Sequence, residues 1–394
     1  MKNAPFSPIV NAAGPSTRFS GAPLGQEVVN AMGEAAQQCF RVEELQEAAS
    51  AYLTAATGAE AGMVTAGAAA GLVASAAACI ARYDVSIMDR LPDTEGLANE
   101  IVIQRSHVTA YSRCLRQSGA KLIEVGYQGY PTQGITWPWQ IEAAIGERTA
   151  ALAYSAGNSL GEVGLAAMSK IAQRHQLPLI VDAAGAIKTP DDLRRPIQEG
   201  ADLVAFSGGK ALRGPQASGI LVGKRDLIDS ALLQHLDLDV REETWIWRER
   251  FLQSGILAGI PNHGICRACK VGKEQVAGLL AALARFTSEP PSVDRQTQRL
   301  QAIAQRVPST CCTVEFVDPS SGPRPYPTLL ISPTPQAALK DARQLIMALE
   351  SGRPPIAVSH NFLDRNAVGI VGFCLADADV DIVVNRLVQT LSFQ

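Results

Sequence analysis

Three groups of residues, in a fixed order along the chain, have the chemistry of a site for a small molecule that carries both an aldehyde and a phosphate. The lysine comes last. Lys210 closes Ala205-Phe206-Ser207-Gly208-Gly209-Lys210, directly after the apolar run Asp202-Leu203-Val204-Ala205-Phe206 and before Gly214-Pro215-Gln216-Ala217-Ser218-Gly219-Ile220-Leu221-Val222-Gly223. A lysine held on a small-residue turn at the end of a buried strand can condense with a carbonyl as a Schiff base. Taken alone, the same lysine also reads as decoration of a surface glycine loop. The second group is Asp182, which ends Leu177-Pro178-Leu179-Ile180-Val181-Asp182, a short β-branched run with the character of a buried parallel strand. A carboxylate there can face a pyridine nitrogen and keep it protonated, so that the ring withdraws the electrons left on Cα when a bond there breaks. Asp182 fits a helix N-cap equally well.

The third group precedes both. In Val64-Thr65-Ala66-Gly67-Ala68-Ala69-Ala70-Gly71 a strand-like run passes into small residues and then into an alanine-rich helix reaching about Arg82. Small side chains let the backbone N–H groups of Ala66, Gly67 and Ala68 approach an anion at the positive end of that helix. Phosphate cradle, carboxylate and lysine, in that order, imply pyridoxal 5'-phosphate (PLP) as cofactor.

On these residues the chain resembles the aspartate-aminotransferase-like (fold type I) PLP-dependent enzymes. Within them it is similar to the family of bacterial selenocysteine synthase (L-seryl-tRNA selenium transferase) and its short relatives. The most specific string is Gly200-Ala201-Asp202-Leu203-Val204-Ala205-Phe206-Ser207-Gly208-Gly209-Lys210 with Gly214-Pro215-Gln216-Ala217. Asn11-Ala12-Ala13-Gly14, Thr57-Gly58-Ala59-Glu60-Ala61, Gly119-Ala120-Lys121-Leu122-Ile123-Glu124-Val125-Gly126 and Arg267-Ala268-Cys269-Lys270-Val271-Gly272-Lys273-Glu274 extend it over roughly residues 8 to 390. One departure stands out: Ala66 occupies a cradle position where relatives often carry a polar residue.

The resemblance implies further site residues. His107, in Gln104-Arg105-Ser106-His107, lies where PLP enzymes of this fold stack a side chain on the cofactor ring. Asn158, after another apolar strand, is placed to reach the cofactor's phenolic oxygen, or simply to form a loop. Ser207 can donate to the phosphate, as the matching serine does in many related enzymes, or stabilise a turn. Arg18, Arg105, Arg267 and Arg365 are candidates to clamp a substrate carboxylate or phosphate, because a guanidinium forks onto such groups. Trp245 and Trp247 read better as core or subunit contact than as a substrate platform.

Lys210 and Asp182 leave the reaction open among elimination, racemisation and aldol cleavage. Resemblance narrows it. The full-length selenium transferases carry an additional N-terminal tRNA-associated domain, whereas the family core here begins within the first dozen residues, so selenium transfer is not expected. The short relatives include ammonia-lyases of sugar amino acids such as D-glucosaminate 6-phosphate. The leading expectation is therefore an α,β-elimination on an amino acid or amino-sugar acid that yields a 2-keto acid and ammonia. A racemase or aldolase of β-hydroxy amino acids is the alternative, and a non-catalytic PLP-binding protein comes last.

Around these residues the chain alternates short apolar runs with helical patterns, as a doubly wound, mostly parallel α/β sheet does. Strands are expected near residues 61–65, 101–104, 121–126, 150–154, 178–182, 202–206 and 218–222, with helices over 67–82, 108–118, 138–146, 164–174 and 190–198. An N-terminal arm (1–20), a large PLP-binding domain (21–262) and a small α/β C-terminal domain (263–394) are expected. The small domain opens with a helix over 271–286 and continues with strands near 312–317, 327–332 and 367–373 and helices near 335–350 and 377–391. Residues 225–262 show no clear periodicity.

Composition fits an enzyme of this size. The chain has 394 residues, 47% of them hydrophobic, enough for a full core. Its 35 basic and 38 acidic residues, without a long basic run, offer nucleic acid no electrostatic footprint. The first residues do not form a secretory leader, and the alanine-rich stretches are interrupted well short of a membrane span, so a cytoplasmic location is expected. Eight irregularly spaced cysteines make no disulfide framework, and Cys266-Arg267-Ala268-Cys269 lacks a second pair for zinc, so no metal is expected. Fold type I sites usually form at a dimer interface, which implies a homodimer or larger homo-oligomer.

Overall fold

A computed structural model describes residues 6–129, 132–157, 161–318 and 326–392. The chain divides into two compact units, residues 24–289 and residues 1–23 with 290–394. This division differs from the expected one at 262/263: the helix expected to open the small domain lies in the larger unit, and the N-terminal segment lies in the smaller one.

The larger unit is built on a seven-stranded sheet. Its strands are β1 (Ala61–Thr65), β2 (Glu100–Gln104), β3 (Lys121–Val125), β4 (Thr149–Ser155), β5 (Leu179–Asp182), β6 (Leu203–Ser207) and β7 (Gly219–Gly223), in the spatial order β1-β7-β6-β5-β4-β2-β3. Strands β6, β5, β4, β2 and β3 run parallel, and β7 is antiparallel to both of its neighbours, β1 and β6. Both faces of the sheet are covered, which is why its strands read as continuous apolar runs rather than alternating ones. Successive residues nevertheless enter opposite cores, as the period of two requires. Ile103, Ala153, Ile180, Ala205 and Leu221 join the core on one face, whereas Val102, Leu152, Val181, Val204 and Ile220 join the core on the other.

The first face packs on α1 (Ala68–Ala81), in which every residue but Ala69 is buried. A helix apolar on all sides belongs inside, and its many alanines let it lie close to the sheet. The opposite face packs on α2 (Leu165–Arg174), through Leu165, Met168, Ile171 and Ala172, which recur at helical spacing on one stripe. The segment 225–262 begins with α3 (Arg225–Leu233), continues through a buried cluster of Trp245, Trp247 and Phe251, and is followed by α4 (Lys273–Ser288). Both tryptophans are thus core residues.

In the smaller unit, Cys312–Val317, Thr328–Pro333 and Val368–Val371 form an antiparallel sheet, and Val10–Ala12 pairs in parallel with Ile356–Val358. Helices Val293–Ala304, Ala342–Glu350 and Asp379–Leu391 contribute Leu300, Leu345, Val383 and Leu387 to its core. Among the described residues no helix is long and apolar enough to cross a membrane.

Candidate active site

The strand register lines up the chemistry. Thr65 on β1 pairs with Gly219 on β7, which pairs in turn with Ser207 on β6; Ala205 pairs with Asp182 on β5, and Asp182 with Ser155 on β4. The C-terminal ends of β1, β6, β5 and β4 therefore share one edge, the edge at which ligands bind in open α/β sheets.

At that edge the cradle has the backbone its glycines require. Gly67 caps α1 with φ 96° and ψ 163°, a region essentially reserved for glycine, and its carbonyl accepts a hydrogen bond from the Thr65 hydroxyl at 2.9 Å. Gly219 is excluded from bearing a side chain by the same turn, because a Cβ there would lie 2.4 Å from the Gly67 carbonyl carbon and 2.6 Å from the Ala68 nitrogen. Strand β1 is held on its open edge by Gln46, whose side-chain amide donates to the Val64 carbonyl and accepts from the Val64 N–H, both at 2.9 Å.

Lys210 sits on a knitted loop. The Gly208 N–H donates to Ser218 O at 2.9 Å, Gly214 N–H to Gly208 O at 2.8 Å and Arg213 N–H to Lys210 O at 3.0 Å. Side chains at Gly208 or Gly209 would collide with Ser218 and Gln216, which accounts for the small residues before the lysine. The Lys210 Nζ lies 4.0 Å from the position a Cβ on Gly185 would take, just beyond the end of β5. There it attracts Asp182. Burial pushes the Asp182 carboxyl above the ordinary carboxylate range, and the Ala184 N–H, which donates to Oδ1 at 3.0 Å, together with the Lys210 charge pulls it back in part.

His107 is fully buried and lines one pocket with Asp182, Ser155, Ala153, Ile180 and Leu72. Its Nδ1 accepts from the Ser155 N–H at 3.2 Å, and its Nε2 lies 2.6 Å from Glu162 Oε2. The Tyr154 ring meets it edge-on at 4.5 Å between centroids. Tyr154 also donates its hydroxyl to Glu162 Oε1 at 2.8 Å, and burial followed by that carboxylate raises the phenol's pKa, so it stays a donor. Sequence reasoning missed Glu162 and Tyr154, since the contact joins residues 55 positions apart and neither string carries a motif.

The remaining candidates divide. Ser207 is half-buried at the end of β6. Arg105 is exposed, next but one to His107, with a 3.9 Å contact to Glu124, whereas Arg267 is engaged by Asp237 at 2.7 Å. Arg18 and Arg365 belong to the smaller unit, where they pair with Glu350 and Glu315. Asn158 lies outside the described residues.

This donor set suits PLP. A main-chain cradle that a single Cβ would fill, a half-buried carboxylate and a neighbouring lysine match a phosphate, a pyridine nitrogen and an aldehyde. The comparisons agree. The chain is 31% identical to a 5'-C-glycyluridine monooxygenase-decarboxylase from a Streptomyces species, over 98% of this chain and 90% of that protein. It is also 31% identical to a D-glucosaminate-6-phosphate ammonia lyase from Salmonella typhimurium, over 76% of this chain and 72% of that one. The solved structure of a D-glucosaminate-6-phosphate ammonia-lyase superposes with a TM-score of 0.82 at 27% identity, covering 98% of this chain and 96% of the other. The fold is that of the aspartate-aminotransferase-like, fold type I PLP enzymes. The family model of SelA, L-seryl-tRNA selenium transferase, matches residues 22–243, and with these relatives it establishes that the chain belongs to the SelA family.

Proposed function

We propose that this chain is a PLP-dependent lyase that eliminates water across Cα and Cβ of a β-hydroxy amino acid or amino-sugar acid and releases a 2-keto acid and ammonia. The observation that carries this reading is the meeting of Lys210, Asp182, His107 and the Gly67 cradle on one sheet edge, in a chain that aligns with an ammonia lyase over 76% of its length. When bound, PLP supplies a protonated ring that accepts the electrons freed at Cα.

The protein does the rest. Ala66, Gly67 and Ala68 at the N-terminus of α1 hold the phosphate with main-chain N–H groups, helped by the Ser207 hydroxyl. Asp182, oriented by the Ala184 N–H, would accept from the ring nitrogen, and His107 would pack against the ring. Lys210 would hold the aldehyde carbon through Nζ. The Lys210 amine would take the Cα proton of the substrate and give it to the departing β-hydroxyl, which leaves as water. The unsaturated amine that is released takes up one water and gives the 2-keto acid and ammonium. Asn158 is assigned to the cofactor's phenolic oxygen. Arg105 is the first choice for the substrate carboxylate, with Arg267, Arg18 and Arg365 behind it. A homodimer or larger homo-oligomer in the cytoplasm, acting on small molecules and not on nucleic acid, completes the proposal.

A second reading rests on the Streptomyces relative: loss of the substrate carboxylate as CO2 with consumption of O2. Incubating the PLP-loaded protein with D-glucosaminate 6-phosphate and with simple β-hydroxy amino acids separates the readings. Equal amounts of 2-keto acid and ammonia support elimination. Release of CO2 with O2 uptake supports the second reading, an aldehyde indicates an aldolase, and solvent deuterium at Cα without breakdown indicates a racemase.

A further inference from the structure

The hydrogen bonds of the His107 ring nitrogens point to a single protonation pattern. A backbone N–H can only donate, so the Ser155 N–H requires an unprotonated Nδ1. A neutral imidazole with a bare Nδ1 must carry its hydrogen on Nε2, and that atom lies 2.6 Å from Glu162 Oε2. The carboxylate therefore accepts there, and its other oxygen accepts from Tyr154, leaving both oxygens engaged by donors. Glu162 is itself fixed from the next residue: the side chain of Gln104, buried at the end of β2, accepts from the Val163 N–H at 2.7 Å and donates to the Val163 carbonyl at 2.9 Å.

We propose that Glu162 is a positioning residue that holds His107 as the neutral Nε2–H tautomer, with its ring plane fixed in the pocket shared with Asp182. A neutral ring in that place adds no positive charge beside a protonated pyridine, and a ring tied at Ser155, Glu162 and the Tyr154 edge meets the cofactor already ordered. The inference rests on the role proposed above for His107 and adds the residues that set its state.

The test uses 15N-histidine-labelled protein at neutral pH, first without cofactor. In the wild type, the His107 signals are expected to be pyrrole-like at Nε2 and pyridine-like at Nδ1, with no averaging between tautomers. Glu162→Gln, whose carbonyl oxygen can still accept from Nε2–H, retains that pattern, and Glu162→Ala, which removes the anchor at Nε2 and frees the ring to turn away from the Ser155 N–H, gives tautomer-averaged signals. PLP titration then gives a dissociation constant raised about tenfold or more by Glu162→Ala, the scale of one charge-assisted hydrogen bond, and recovered to within about threefold by Glu162→Gln. A wild-type ring protonated at Nδ1, or a Glu162→Ala protein with unchanged ring signals and unchanged PLP affinity, overturns the inference. Because a wild-type ring protonated at Nδ1, or a Glu162→Gln protein that loses the pattern, overturns the inference by itself, a Glu162→Ala protein that fails to fold does not protect it. If wild-type protein does not bind PLP, the proposed function fails as well, whereas normal PLP binding with an indifferent His107 refutes only the role of Glu162.

Discussion

Adding one methyl group to Gly219 tests whether the cradle is built by close approach of β7 to the start of α1. The Cβ of Gly219→Ala would lie 2.4 Å from the Gly67 carbonyl carbon, 2.6 Å from the Ala68 nitrogen and 2.8 Å from the Gly67 Cα. Carbon atoms pack comfortably at about 3.5–4.0 Å, so these main-chain atoms must retreat by roughly 1 Å. No flexible side chain can absorb that movement. Pairing of Gly219 with both Thr65 and Ser207 resists retreat of β7, which leaves the turn at Gly67 to give way. Overpacking of this kind costs about 1–3 kcal/mol, and if the distortion falls on the cofactor-bound state, PLP affinity drops roughly 5- to 150-fold. Urea unfolding of the cofactor-free protein and absorbance titration with PLP measure the two effects. An unchanged midpoint together with an unchanged dissociation constant would refute the reasoning, because the overlap would then have been absorbed outside the cradle.

Three further outcomes follow from the same geometry. Gln46→Ala leaves the Val64 N–H and carbonyl without their side-chain partner, and with a typical cost of about 1–3 kcal/mol for a buried unpaired group it should lower the urea midpoint while the m-value stays unchanged; an unaltered midpoint removes Gln46 as the support of β1. Asp182 has a raised folded-state pKa, so the native protein retains its proton where the unfolded chain has released it. Its unfavourable contribution is therefore absent below the ordinary carboxylate pKa of about 4, grows as pH rises from there toward the folded value and is full only above it. Asp182→Asn should thus raise the melting temperature of cofactor-free protein near pH 7, less so near pH 4, while abolishing most turnover; a melting temperature that falls at neutral pH contradicts this. Lys210→Ala should lose the visible absorbance of lysine-bound PLP and all turnover, whereas full activity in that variant defeats the assignment of the site.

Much of this architecture is legible in the chain because buried parallel strands announce themselves as uninterrupted apolar runs. All seven strands of the large sheet and α1 and α2 fall within a residue of their expected positions, and α4 within two. What strand composition does not carry is direction. Gly219–Gly223 reads like its parallel neighbours yet runs against them, since that follows from the short loop after Lys210. Segment 108–118 is expected as one helix, but Thr109 accepts the Tyr111 N–H and starts a 3-10 turn at Ala110, leaving only Arg113–Gln117 as α-helix. Similarly, the helix expected over 335–350 begins at Ala342, where Asp341 caps it. Residues 225–262 hide α3 because its buried face spans seven consecutive positions, Leu227 to Leu233, and so shows little contrast. At the site, Lys210, Asp182 and the cradle are legible because each is tied to a local turn or strand end. The Glu162 and Tyr154 partners of His107 are set by tertiary contacts that no local spacing encodes.

The central claim, a covalent bond between Lys210 and PLP, is tested most directly by loading the protein with PLP, reducing it with borohydride and mapping the modified peptide by mass spectrometry. The account predicts a single pyridoxyl group on the ε-amine of Lys210. A protein that folds normally but carries the label on another lysine, or takes up none, contradicts it.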